Sequence, residues 1–160
     1  MYRKILLAIA LQNWEEFTPH ALAARDAAVC LAKGSPAMLH ILTVCDYSKI
    51  IAMGMPEHLA VSYQMTSYIN DQIEKLEKRV REKLELFVKN VRSEGVVVKT
   101  LLRTGNPREE IVKVAEEVGA DLIVIGTHSK RSFLDVLLGG TAYIVTSKAP
   151  CPVLLVSAPR

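Results

Sequence analysis

The sequence predicts an α/β protein built on a parallel sheet, and three observations lead there. Short strand-like runs recur at residues 3–10, 38–44, 96–103, 122–125 and 152–156, and the near-continuous apolar run at 3–10 has the pattern of a parallel strand covered on both faces. Stretches of helical periodicity lie between them. Glycines and prolines punctuate the junctions, at Gly34, Gly95, Pro107, Gly119 and Gly140. Strands that alternate with helices need crossover connections, and these are right-handed in nearly all parallel units.

The elements follow in order. Residues 3–10 (RKILLAIA) form the first buried strand. Thr18 is a suitable N-cap for the first helix, Pro19 suits its opening turn, and Phe17 is placed to staple onto Leu22. Ala21, Ala24, Ala28 and Leu31 make its inward stripe, and Gly34 ends it. Residues 38–44 (MLHILTV) are a second strand. Residues 47–65 are irregular, with Gly54 and Pro56 as breakers and an apolar patch at 50–55 that suits burial under the next helix, an oligomer contact or a partner site. A long helix over about 67–94 presents Ile69, Ile73, Leu76, Val80, Leu84, Phe87 and Val91 on one side. Glu74–Lys78, Glu77–Arg81 and Glu85–Lys89 occupy the solvated side at i,i+4 spacing. Gly95 closes that helix and 96–103 is the third strand. Asn106-Pro107-Arg108-Glu109 opens the next helix as a capping box, with Ile111, Ala115 and Val118 inward until Gly119. A strand at 122–125, a helix at 140–148 and a strand at 152–156 complete the chain. No internal repeat or linker interrupts it, so one domain over residues 1–160 is expected.

Composition narrows the function classes. A formal charge of +3 is too mild and too dispersed for general nucleic-acid binding. No apolar run approaches the roughly 20 residues of a membrane span, and Arg3-Lys4 lead straight into a strand, so a cytoplasmic protein without membrane association is expected. Cys30, Cys45 and Cys151 have neither disulfide-framework nor CxxC spacing and read as reduced thiols packed as small hydrophobes. His20, His40 and His58 are scattered and offer no convergent ligand spacing, so no metal site is expected.

The richest chemistry lies in residues 126–156, GTHSKRSFLDVLLGGTAYIVTSKAPCPVLLV. A strand gives way to a polar, basic turn over 126–132, and the Gly139-Gly140-Thr141 group opens a helix. Glycines let backbone N–H groups approach an anion, and a helix N-terminus adds partial positive charge and unpaired donors. Lys130 and Arg131 stand beside this cradle, which therefore reads as a phosphate site. The same residues have a plain structural role open to them, with glycines that only shape turns and lysine or arginine as solvated loop charge. Walker, dinucleotide-turn and nucleophile-elbow motifs are all absent, no carboxylate pair suggests itself, and no catalytic residue is assigned.

TGNPREEIVKVAEEVGADLIVIGTHSK followed by LLGGTAYIVTSKAPCPVLLV resembles the universal stress protein family, and the resemblance runs from MYRKILLAI through LHILTV to the last strand. It implies a Rossmann-like domain of the adenine nucleotide alpha hydrolase type, its five parallel strands in the order 3-2-1-4-5 with helices on both faces. It also implies a homodimer paired through the last strand, 152–156. Some members bind ATP or AMP, and their role is stress adaptation through binding or regulation. Their pattern G-x-x-G, nine residues, then G-S/T maps onto Gly126, Ser129, Gly139 and Gly140, with Thr141 one place late. Ser129 replaces the second glycine and Gly140 stands where serine or threonine is usual. His128 occupies a position where binding members often carry histidine or arginine. Ile41 matches the position whose main chain meets the adenine. Ala8-Ile9-Ala10 stands where binding members have P-T-D, so the ribose-binding carboxylate is missing.

The resemblance thus implies a site in which Gly126, His128, Ser129, Lys130, Gly139, Gly140 and Thr141 meet phosphates. Ala8, Ala10, Ile41 and Ile125 line the base and ribose. Trp14 is a candidate to stack on the base or to pack over its loop, and Gln12, Asn13 and Glu15 are candidate ribose ligands. The ligand is an adenine nucleotide (AMP, ADP or ATP, with Mg²⁺ accompanying ATP), and the protein a non-catalytic stress-response regulator with an unidentified regulatory partner. Two alternatives stand beside this reading: a dimeric interaction module that no longer binds nucleotide, and a weak ATP hydrolase.

Overall fold

The structure is a computed structural model that describes residues 1–12, 16–48, 63–127 and 140–158. In chain order the elements are β1 (Lys4–Ile9), β2 (Leu11–Gln12), β3 (Glu16–Phe17), α1 (Pro19–Ala32), β4 (Met38–Cys45), α2 (Tyr63–Arg92), β5 (Val97–Thr104), α3 (Pro107–Val118), β6 (Leu122–Thr127), α4 (Gly140–Lys148) and β7 (Val153–Ser157). The five long strands pair in the order β5-β4-β1-β6-β7, all parallel. Counted among themselves along the chain, they run 3-2-1-4-5. The chain therefore winds outward from β1 in one direction to β4 and β5, then returns to its other side for β6 and β7.

Side chains alternate across each strand, so the sheet feeds two cores. On one face Ile5, Leu7, Leu39, Ile41 and Val124 pack on α1 and on Leu84, Phe87, Val88 and Val91 of α2. On the other, Leu6, Ala8, Leu42, Ile123 and Ile125 meet Ile111, Val114 and Ala115 of α3 and Val145 of α4. The expected stripe of α2 is the one buried, with Leu76, Val80, Leu84, Phe87 and Val91 all inside.

Caps set several boundaries as the sequence suggests. Thr18 Oγ1 accepts a hydrogen bond from the Ala21 N–H at 3.1 Å, and Pro19 opens α1. Asn106 Oδ1 accepts from the Arg108 N–H at 3.0 Å at the start of α3, which Gly119 closes at φ +62°.

Other details differ from the sequence reading. Leu22 is 38% exposed, so it makes no staple; Phe17 stacks instead on Phe87, ring centroids 4.5 Å apart. Leu31 is also exposed, and Ala32 takes its place on the inward stripe of Ala21, Ala24 and Ala28. Cys30 is exposed rather than packed as a core residue. Helix α2 starts at Tyr63, because nothing between Pro56 and residue 67 stops it from extending. Strand β6 runs on through Gly126 and Thr127, pairing with Val156 and Ser157 of β7, so these two residues lie in the sheet and not in the turn. The β2–β3 hairpin was not anticipated. None of the three i,i+4 pairs foreseen on α2 closes an ion pair among the described residues, where Arg25–Asp26, Lys33–Glu94, Arg103–Glu117 and Lys113–Glu110 do.

Candidate functional site

A cavity of about 290 Å³ opens at the carboxyl ends of β1, β4 and β6. This is where the chain reverses its winding direction, the switch point at which open α/β sheets bind ligands. Ala8, Ile9 and Ala10 of the first strand end form its floor with Ile125, Gly126 and Thr127, and Leu42 and Val44 form the side wall. Three helices point their N-termini at it. Thr18, His20 and Ala21 come from the start of α1, Pro107 and Ile111 from α3, and Gly140, Thr141 and Ala142 from α4. Each start brings N–H donors and partial positive charge.

Local packing explains why small residues occur here. A Cβ at Gly126 would lie 2.6 Å from the backbone oxygen of His20 and 2.8 Å from its carbonyl carbon. Glycine at 126 thus lets the first turn of α1 rest directly on β6. At the opposite rim a Cβ at Gly140 would lie 2.6 Å from Nη2 of Arg108. The guanidinium from α3 therefore lies against the opening backbone of α4.

The polar lining is sparse. Thr18, His20, Thr127 and Thr141 supply side-chain hydroxyl or imidazole groups, and no carboxylate, lysine or arginine is among the described lining residues. The Thr18 hydroxyl caps α1 as an acceptor and keeps its own proton to donate. His20 Nδ1 accepts from the Ala158 N–H at 3.2 Å, which ties α1 to the end of β7. The lining suits a largely neutral, flat group with a few hydrogen-bonding positions, and the helix starts suit an anion at the mouth.

Clearly shifted ionisations lie elsewhere. Burial pushes the His40 imidazole down, helped by Lys99 and Lys4. Burial raises the Cys45 thiol and the Tyr47 phenol, whose hydroxyl donates to Glu77 at 3.1 Å. Cys45 and Tyr47 sit in the packed interior between β4 and α2, and His40 is buried within β4; burial favours the neutral form of each.

Of the residues singled out in the sequence, the cavity gathers Ala8, Ala10, Ile125, Gly126, Gly140 and Thr141. Ile41 does not contribute its side chain: it is fully buried on the opposite face of the sheet, and its neighbour Leu42 faces the cavity instead. His128, Ser129, Lys130 and Gly139 lie outside the described residues, as do Arg131, Trp14, Asn13, Glu15, His58 and the patch at 50–55. Thr18, His20, Leu42, Val44, Pro107, Ile111 and Thr127 were not foreseen as lining. The cap at Thr18 was a usable sign, since a helix start that follows a central strand must open at the sheet's carboxyl edge. Among the described residues no cluster of three or more His, Cys, Asp or Glu could hold a metal ion, and no helix is long and apolar enough to cross a membrane.

A doubly wound parallel sheet with a cavity at its switch point defines a Rossmann-like α/β domain. The chain belongs to the universal stress protein family, whose sequence profile matches residues 1–157. It is 30% identical to universal stress protein MJ0577 of Methanocaldococcus jannaschii over 157 residues, covering 98% of this chain and 95% of that one. Universal stress protein YxiE of Bacillus subtilis is 30% identical over 156 residues, covering 98% and 99%. The solved structure of MJ0577 superposes with a TM-score of 0.77, covering 100% of this chain and 99% of that one at 28% identity. Two more distant structures share the fold. An Arabidopsis thaliana family protein with AMP bound has a TM-score of 0.68 at 16% identity, covering 98% and 92%. The Archaeoglobus fulgidus protein in complex with dAMP has a TM-score of 0.63 at 20% identity, covering 97% and 98%.

Proposed function

We propose that this protein is an adenine-nucleotide-binding regulator that works by binding, without a catalytic step, as a cytoplasmic homodimer. One observation carries the reading: the cavity at the switch point of the sheet, with three helix N-termini aimed at it. Its volume lies at the small end of the range for ligand sites, which suits a mononucleotide whose phosphate extends to the mouth. Fold-sharing proteins described with AMP or dAMP bound make an adenine nucleotide the first class to test.

In this reading the apolar walls formed by Leu42, Val44, Ile111 and Ile125 take the base. Ala10 has no group to bond a ribose hydroxyl, and the hydroxyl of Thr18 is the lining side chain proposed for that contact. Backbone N–H groups at Gly140 and Thr141 face the phosphate. The described lining offers Mg²⁺ no carboxylate, so any Mg²⁺ with ATP would be held by the nucleotide's own phosphates. What supports the dimer is β7, an edge strand with Leu154 36% exposed, which a second copy would cover.

Calorimetry on freshly desalted protein with ATP, ADP, AMP and cyclic AMP tests the reading. Saturable binding of at least one, weakened when Ala8→Leu fills the floor, is the expected result. Absence of heat with all four would favour the interaction module instead.

A further inference from the structure

We propose that Arg108 is a specificity-determining residue of this cavity, one that reads the phosphate of a bound nucleotide where it leaves the mouth. The proposal rests on the nucleotide reading above and adds the group that distinguishes nucleotide from nucleoside. Arg108 is the second residue of α3. Pro107 before it and Ile111 beyond it line the cavity, while Arg108 is exposed beside that lining. The guanidinium crosses to α4. A Cβ on Gly140 would lie 2.6 Å from Nη2 and 3.3 Å from Cζ, so the charge rests on the backbone of a residue that lines the cavity.

This is a poor place for a cation if its role is only structural. It sits in the first turn of its own helix and against the first turn of another, and both helix dipoles oppose positive charge there. Glu109 and Glu110, in the same turn of α3, are of the sign that such a position favours. Arg108 also has no carboxylate partner among the described residues, whereas Arg25, Lys33, Arg103 and Lys113 each have one. Its backbone N–H is already taken by Asn106, so the cap stands without the side chain.

An anion at the mouth resolves this arrangement. The guanidinium fork matches two oxygens of a phosphate, and the N–H groups at the start of α4 approach from the other side. A nucleoside has nothing to offer either set of donors. Arg108 therefore contributes to AMP and ADP binding and leaves adenosine binding untouched. Lysine at this position would keep the charge but lose the paired geometry.

Calorimetric titration of AMP and adenosine into the full chain and into Arg108→Ala and Arg108→Lys tests this, with thermal melting as the check on folding. Arg108→Ala is expected to weaken AMP at least tenfold, change adenosine less than twofold and keep the melting temperature. Arg108→Lys should fall between. Unchanged AMP affinity in Arg108→Ala would overturn the proposal while leaving the nucleotide reading standing. Equal weakening of AMP and adenosine would also overturn it, since Arg108 would then be shaping the cavity. If the unmodified protein binds neither, the nucleotide reading falls and takes this proposal with it.

Discussion

Gly126→Ala should destabilise the protein, and the sign of the effect is the informative part. Gly126 sits in the extended backbone of β6, where alanine is normally the better residue because glycine loses more freedom on folding, by roughly 0.5–1 kcal/mol. At a roomy position the substitution would therefore stabilise. Here the added methyl would meet the His20 carbonyl oxygen at 2.6 Å, its carbon at 2.8 Å and its Cβ at 2.9 Å. Two of these three atoms are backbone, so no side-chain rotation relieves the clash. Helix α1 would have to retreat by roughly 0.5–1 Å to reach ordinary carbon contact distances. Its alanine stripe would lose contact with β1 and β6 along the way. Overpacking of this kind costs about 1–3 kcal/mol. For a chain of this length that is a fall in melting temperature of roughly 2–12 °C. Circular dichroism melts of the two proteins, with urea midpoints as a second measure, are the assay. Because Thr18 and His20 ride on α1, nucleotide affinity should fall with stability. A Gly126→Ala protein as stable as the original, or more stable, would refute the steric role assigned to this glycine.

Three further predictions follow from other parts of the molecule. His40 is 5% exposed, its Nδ1 has no partner, and burial lowers its pKa, so the folded state resists a proton that the unfolded chain takes up near pH 6.5. Its contribution is thus complete above about pH 6.5 and erodes as pH falls below that, by at most about 1.4 kcal/mol per pH unit. His40→Leu should flatten the pH 7.5 to 5.5 dependence of the urea midpoint, and parallel profiles for the two proteins would contradict this. Ala10→Asp restores a carboxylate at the cavity floor and should tighten AMP binding by about tenfold, the worth of one charged hydrogen bond. An unchanged affinity would mean that Thr18 already holds the ribose. Light scattering at micromolar concentration should give a dimer. Leu154→Lys should shift it toward monomer, because Leu154 is exposed whereas Leu155 packs on the inner core. A monomeric unmodified protein would remove the β7 pairing.

How far the sequence could be read depended on whether a signal was local. Thr18, Pro19 and Gly34 bracket α1 within a residue or two because caps act over one turn. The buried stripe of α2 emerged from helical periodicity. Residues 38–44 show where that stops: apart from His40 and Thr43 they are apolar on both sides of the strand, so no alternation reveals that Leu42 faces the cavity while the Ile41 side chain packs on the opposite face. Gly126 looked like a phosphate glycine, yet its closest constraint comes from His20, 106 residues earlier in the chain. Arg108 carried no signal because its partner surface is on α4, and only the fold brings Gly140 to it. The β2–β3 hairpin, two residues a side, is too short to leave a pattern.

Mapping the AMP site by amide chemical shifts on labelled, desalted protein tests the central claim most directly. With the cavity as the site, saturable shifts should appear at Ala8, Ile9 and Ala10, at Ile125 to Thr127, and at Gly140 to Ala142. The groove between α1 and α2 around Asn90 and Glu94 should stay still. No shifts at saturating AMP, or shifts confined to that second groove, would contradict the assignment.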